Sequence, residues 1–242
     1  MLNDDEIQRA LVITAHPDDV DFGAAGTVAT WTDAGVEVAY CIVTDGDAGG
    51  FDPGVPRAEI PGIRRAEQTA AAKAVSVSDV TFLGYPDGRL VTSLELRRDL
   101  TREIRRVRPH RVLCPSPERN WQRIFASHPD HLAAGEASLA AVYPDARNPF
   151  AHPKLLADGY EPWTVLEVWM MAAPSRNRWV DVTDALPRKL DALRSHVSQH
   201  TDADGRLEER MRGWSAMNAH EAGLADGRLA EAFFVIDSAG LR

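Results

Sequence analysis

Short runs of β-branched and aliphatic residues alternate along this chain with Ala-rich stretches of helical spacing, and this alternation constrains the fold more than any other feature. Strand-like runs occupy residues 10–15 (ALVITA), 36–45 (VEVAYCIVTD), 79–84 (DVTFLG) and 111–117 (RVLCPSP). Helical patterns fill the gaps at 24–34, 63–75 and 94–107. A hydrophobic period that switches repeatedly between the strand and helix values marks βαβ units. The expected class is therefore α/β, with a mostly parallel sheet covered by helices on both faces. Right-handed crossovers would place the carboxyl ends of the strands on one rim. A strand at 164–173, a helix at 185–199 and a last strand at 232–237 are expected to extend the layer. At 242 residues the chain can bury one sizeable core, and a single domain over 1–242 is expected.

Charge narrows the range of partners. The formal charge of −9 argues against a sequence-independent grip on phosphate backbones, so no nucleic-acid partner is expected. Arg97, Arg98, Arg102, Arg105, Arg106 and Arg108 do cluster, but they alternate with Leu96, Leu100, Ile104 and Val107 at helical spacing. That pattern reads as the solvated face of an amphipathic helix. No apolar run approaches the roughly 20 residues that span a bilayer, so no membrane partner is expected. The polar opening MLNDDEIQRA lacks an export-signal pattern, and the reading is a cytoplasmic protein. Cys41 and Cys114, each inside an apolar run, read as buried reduced thiols. Homo-oligomerisation is left open.

Four polar clusters follow the strand-like runs: HPDD at 16–19, TDGD at 44–47, YPDG at 85–88 and HPDH at 128–131. Ligands of open α/β sheets bind outside the carboxyl ends of the strands, so these clusters are expected to converge. The Gly- and Pro-rich stretch 49–62 reads as a long surface loop bordering the same region.

His16 and Asp19 can turn toward one point on the loop leaving the first strand, and a nitrogen and oxygen pair of this kind suits zinc. Asp19 alone could equally cap a helix. His128 and His131 lie three positions apart where a helix begins, so one can bind metal while the other works on substrate. A catalytic zinc site has three protein ligands and an open position, and His16, Asp19 and His131 supply that number.

AHPDD near the N-terminus, RRAE, LGYPDG and the later SHPDH together resemble the LmbE-like, or PIG-L, de-N-acetylases, and the resemblance spans most of the chain. The paired HPDD and HPDH motifs at this separation carry the specificity. The resemblance implies a Rossmann-like fold and hydrolysis of the N-acetyl amide of a small amino-sugar substrate of the N-acetylglucosamine type. It also implies zinc held by His16, Asp19 and His131, with Asp18 as general base. His128, protonated, would stabilise the developing oxyanion and protonate the departing amine, and Asp130 would orient the His128 imidazole. Asp130 could instead simply serve the helix dipole. Arg64, in the family's R-x-x-E element with Glu67, could reach a sugar hydroxyl or the reacting centre, or form an ion pair on one helix face. Asp87 could bind substrate hydroxyls or stabilise a turn before Gly88. Thr183 or Asp184 is a helix cap, and His196 and His200 share a face that reads as structural.

Two positions depart from the family pattern. Where many members carry Glu after HPDD, this chain has Val20 followed by Asp21, so the substrate contact of that Glu is either missing or supplied by Asp21. Ala126 stands where the mycothiol-precursor deacetylases resemble one another in having a Tyr, which argues against the mycothiol precursor as substrate without touching the zinc chemistry; an amidase acting on a thiol-pathway conjugate is the alternative function. A nucleotide-binding protein of similar strand-loop-helix start is the rival from another class. HPDD opposes it, because carboxylates repel pyrophosphate where that fold needs glycines. A sugar-binding homologue without turnover is the third reading, opposed by the presence of Asp18 and His128.

Overall fold

The computed structural model describes residues 2, 6–50, 52–199 and 205–240. The first half comprises β1 (Arg9–Thr14), α1 (Asp19–Gly23), α2 (Ala25–Asp33), β2 (Glu37–Thr44), α3 (Ile60–Ala74), β3 (Asp79–Tyr85), α4 (Leu94–Val107) and β4 (Arg111–Pro115). After a 3-10 turn at Ile124–Ser127 come α5 (Pro129–Ala140), α6 (Pro153–Ala157), β5 (Glu167–Met171), β6 (Arg178–Asp181), α7 (Leu186–Arg194), α8 (Arg206–Glu221) and β7 (Ala230–Asp237).

These strands form one seven-stranded sheet in the order β3-β2-β1-β4-β5-β7-β6. The first five in that order are mutually parallel, while β7 runs antiparallel to both β5 and β6. Alternation along each strand splits the core into two layers. Ala10 and Val12 of β1 face the cluster built with Val28 and Trp31 of α2, Ala71 and Ala72 of α3, Leu190 and Leu193 of α7 and Met211 of α8. Leu11 and Ile13 face the opposite cluster, with Leu96, Leu100 and Ile104 of α4 and Ala134 and Ala137 of α5. Helices thus cover both faces, as expected for an α/β sheet.

Several boundaries differ from the sequence expectation. The helix expected at 24–34 is preceded by a separate short α1, broken at Ala24 where φ is −151°. Helix α3 begins at Ile60 and shortens the Gly- and Pro-rich loop. The helix expected at 185–199 ends at Arg194, after which the chain turns inward and buries His196 completely. Neither β6 nor α8 was expected, and the last strand runs against the parallel set. Arg105 is not part of a solvated face: it is buried and donates to the carbonyls of Asp145, Ala146 and Asn148. Thr183 spends its side chain on Asp181 and Leu229, and Ala185 occupies the N-cap of α7. His200 lies outside the described residues.

Strand order reverses between β1 and β4, the switch point at which open α/β sheets bind ligands. The β1 loop carries HPDD and the β4 connection leads to HPDH. Helix α5 presses onto the end of β4 at Gly135, where a Cβ would stand 2.4 Å from the Pro115 carbonyl oxygen. Only glycine permits this approach, and it sets His131, one turn earlier on α5, against the β1 loop.

Candidate active site

His16 leaves the end of β1 and is the centre of the cluster. Its Nδ1 lies 3.2 Å from His131 Nε2 and 3.6 Å from Asp19 Oδ2. His131 Nε2 is in turn 3.0 Å from Asp19 Oδ1. Three tetrahedral zinc ligands at ordinary bond lengths are separated by about 3.3 Å, so the His16–His131 separation suits neighbouring ligands, with Asp19 meeting the two rings through different carboxylate oxygens.

The remaining ring nitrogens specify which atoms are free. His16 Nε2 faces Asp87 Oδ1 at 3.0 Å and Asp130 Oδ2 at 3.2 Å, and His131 Nδ1 faces the Ala126 carbonyl at 3.3 Å. Donation toward those acceptors leaves the lone pairs of His16 Nδ1 and His131 Nε2 pointing at each other and at Asp19. Lone pairs converging this way require a shared cation, either a proton or a metal ion. The nitrogens of His16, His128 and His131 also lie within 4.8 Å of one another, as do donor atoms of His16, Asp87 and Asp130. The latter group reads as support for His16, because Asp130 also accepts from the Gly88 and Leu90 amides at 2.7 and 3.1 Å.

Electrostatics follow from this crowding. Burial alone would lower the His16 pKa, but hydrogen bonds with Asp130, Asp19 and Asp87 outweigh it and push it up to about 12. Burial opposes ionisation of Asp19, yet the charge and hydrogen bonds of His131 and His16 hold it well below the usual carboxylate range. For His131, burial is outweighed by Asp19 and the pKa rises. Asp18 behaves differently. Burial, reinforced by the charge of Asp19, raises it to about 7 against the pull of Arg64 and His196.

The structure corrects several sequence assignments. Asp130 does not orient the His128 ring with its carboxylate, which goes to His16; only its backbone N–H reaches His128, at Nδ1, 3.2 Å away. That bond makes His128 the N-cap of α5 and leaves Nε2 as the nitrogen that can carry a proton. Burial, followed by the charges of His16 and His131, lowers the His128 pKa, which opposes the expected imidazolium. Asp87 is tied to His16, with its backbone N–H held by Asp47 Oδ1 at 2.9 Å.

Arg64 pairs with Asp18 at the expected reacting centre and not with an acid on its own helix face. It is buried, donating from Nη2 to the Pro17 carbonyl at 2.6 Å and to Asp18 Oδ2 at 3.2 Å. Glu67 accepts from the backbone and hydroxyl of Ser198 instead. Asp21 has no exposed surface and contacts Gln68 and His196, so it does not replace a substrate-binding Glu. Gln68 was missed by sequence reasoning, although it lies one helical turn after Arg64 on α3 and so shares its face.

A parallel sheet with a metal-capable imidazole and carboxylate set at its switch point, and a carboxyl titrating near neutrality beside it, defines a candidate hydrolase of the α/β class. The profile of the PIG-L family, described as GlcNAc-PI de-N-acetylase, matches residues 11–142, and the chain belongs to this family. It is 33% identical over 194 residues to the diacetylchitobiose deacetylase of Thermococcus kodakarensis, covering 80% of this chain and 71% of that one. A 1D-myo-inositol 2-acetamido-2-deoxy-alpha-D-glucopyranoside deacetylase of Rhodococcus erythropolis is 27% identical, with 83% of this chain and 84% of the relative covered. Among solved structures, N,N'-diacetylchitobiose deacetylase from Pyrococcus horikoshii superposes with a TM-score of 0.88 at 30% identity, covering 98% of this chain and 86% of that one.

Proposed function

We propose that this chain is a zinc-dependent hydrolase that removes the N-acetyl group from an N-acetylglucosamine-type amino sugar or glycoside. The observation that carries the reading is the convergence of His16 Nδ1, His131 Nε2 and the Asp19 carboxylate on one point beside Asp18. The deacetylases among its relatives support the substrate class. Two free buried thiols, Cys41 and Cys114, suit a reducing cytoplasmic setting.

His16, Asp19 and His131 would hold the ion. When bound, zinc supplies Lewis acidity that polarises the amide carbonyl and lowers the pKa of water toward about 7. Asp87 and Asp130 orient His16, and the Ala126 carbonyl orients His131. Asp18, held at Oδ2 by Arg64, takes the proton of the attacking water. As the new C–O bond forms, charge grows on the acetyl oxygen, and His128 Nε2–H is placed to donate to it. The C–N bond then breaks, the amine leaves with a proton returned from Asp18 or His128, and acetate is the second product.

The test combines elemental analysis with acetate release from N,N'-diacetylchitobiose and N-acetylglucosamine. The expected result is about one zinc per chain and turnover that a chelator abolishes and zinc restores. Asp18→Asn should keep the metal and lose about 10²–10⁴-fold in kcat, the range of a positioned base. A fully zinc-loaded protein that releases no acetate from either compound would overturn the reading.

A further inference from the structure

Asp18 adopts φ 83° and ψ −22°, a left-handed conformation that a residue with a side chain takes only when its surroundings impose it. A chain of buried hydrogen bonds leads away from its backbone. The Asp18 N–H donates to Gln68 Oε1 at 2.7 Å, Gln68 Nε2 donates to Asp21 Oδ2 at 3.0 Å, and His196 Nε2 meets the same oxygen at 2.8 Å. Gln68, Asp21 and His196 are all fully buried. The polarity of this chain is determined throughout. A backbone N–H can only donate, so the Gln68 carbonyl must face Asp18 and its NH₂ must face Asp21, a carboxylate able to accept from both neighbours.

We propose that Gln68, Asp21 and His196 are positioning residues, a buried relay that fixes the Asp18 backbone so that its carboxylate stands at the reacting centre. Their role rests on the deacetylase reading for its effect on turnover. Three observations favour positioning over plain stabilisation. The relay ends on the backbone of the proposed base, at its left-handed residue. It carries a stability cost, because Asp21 Oδ1 and His196 Nδ1 are buried without hydrogen-bond partners among the described residues. Its far end, His196, lies beyond the 11–142 span of the family match, in the turn after α7, so the C-terminal half reaches the base from beneath the sheet rim.

Gln68→Met keeps the side-chain volume and removes both of its hydrogen bonds. Expected are parent-like zinc content, a KM within about twofold, a kcat lower by about 10–100-fold and faster hydrogen exchange of the Asp18 amide by NMR. Gln68→Glu alone sets two carboxylates against each other. Adding Asp21→Asn restores complementarity, since an amide nitrogen at the position of Asp21 Oδ2 gives one hydrogen to the introduced carboxylate and the other to His196 Nε2, which accepts in its Nδ1–H tautomer. The double variant is therefore expected to regain kcat to within about threefold of the parent and to restore Asp18 protection, a coupling that independent sites would not show. A Gln68→Met protein with parent kcat and unchanged Asp18 exchange would overturn the proposal, as would loss of its zinc or a double variant no better than Gln68→Glu. Should the zinc-loaded parent release no acetate from N,N'-diacetylchitobiose or N-acetylglucosamine, the deacetylase reading fails, while Asp18 exchange across the same variants still decides the relay.

Discussion

The two ends of the central strands bury ionic groups in opposite ways. At the amino end, Arg111 of β4 is fully buried with its guanidinium 4.2 Å from the Trp169 ring and 5.0 Å from the Trp31 ring. It pairs with Glu167 at 3.2 Å, which also accepts from Trp169 Nε1 at 3.1 Å. Positive charge, negative charge and aromatic faces are matched there. At the carboxyl end, Asp19, Asp87 and Asp130 crowd around histidines whose ring nitrogens face one another. The first arrangement is complete within the chain; the second is completed by a cation. Buried charge is therefore not itself a sign of function, and the mismatch of donors and acceptors is what singles out the rim.

The contrast makes testable claims. His16→Ala should give the largest effect, removing zinc and lowering kcat/KM by about 10⁴-fold, roughly 5 kcal/mol. Full zinc occupancy in that variant by elemental analysis would break the distinction between the two ends. Arg111→Ala should instead cost about 3–5 kcal/mol of stability in denaturant titrations, because Glu167 is left buried and unpaired. The folded fraction should keep the parent kcat, and a kcat defect at full folding would show that the amino end is coupled to the site.

The smallest effect concerns pH. Asp18 has its folded pKa raised, to about 7, above the ordinary carboxylate value. Between the two values the folded state binds the extra proton, so its contribution to stability is present at low pH and is lost as pH rises through about 7. In metal-free protein, Asp18→Asn should consequently gain on the parent by about 2.5–3 kcal/mol between pH 5 and 8, the equivalent of about two pKa units. A variant whose advantage does not grow with pH, measured by thermal unfolding, would show that Asp18 is ionised throughout.

Much of this was readable from residues close in sequence. The β1 run ending in HPDD, the helix over 94–107 and the β4 run all follow from short-range hydrophobic periodicity, which depends on neighbours within one or two turns. The placement of polar clusters at strand ends followed from the parallel topology. Motif spacing placed His16 and Asp19 on one rim with His128 and His131, and the family resemblance, not spacing, named His131 as the ligand. Strand β6 was missed because RWVD is too short to display a period, and β7 was assigned no direction because its antiparallel pairing depends on partners elsewhere.

What the sequence determined by itself was the alternation of strands and helices from β1 to β4 and the set of residue types carried to the rim. Tertiary structure decided who partners whom. Asp130 is two residues from His128 in the chain, yet its carboxylate goes to His16, 114 positions away, because α5 docks against β4 at Gly135 and turns it toward the β1 loop. Asp21 is two residues from Asp19, yet α1 rotates it inward to meet His196 from 175 positions away. Local spacing specifies which face of an element a side chain occupies, whereas hydrogen-bond partners depend on where packed elements bring distant faces together, and that is a property of the whole core.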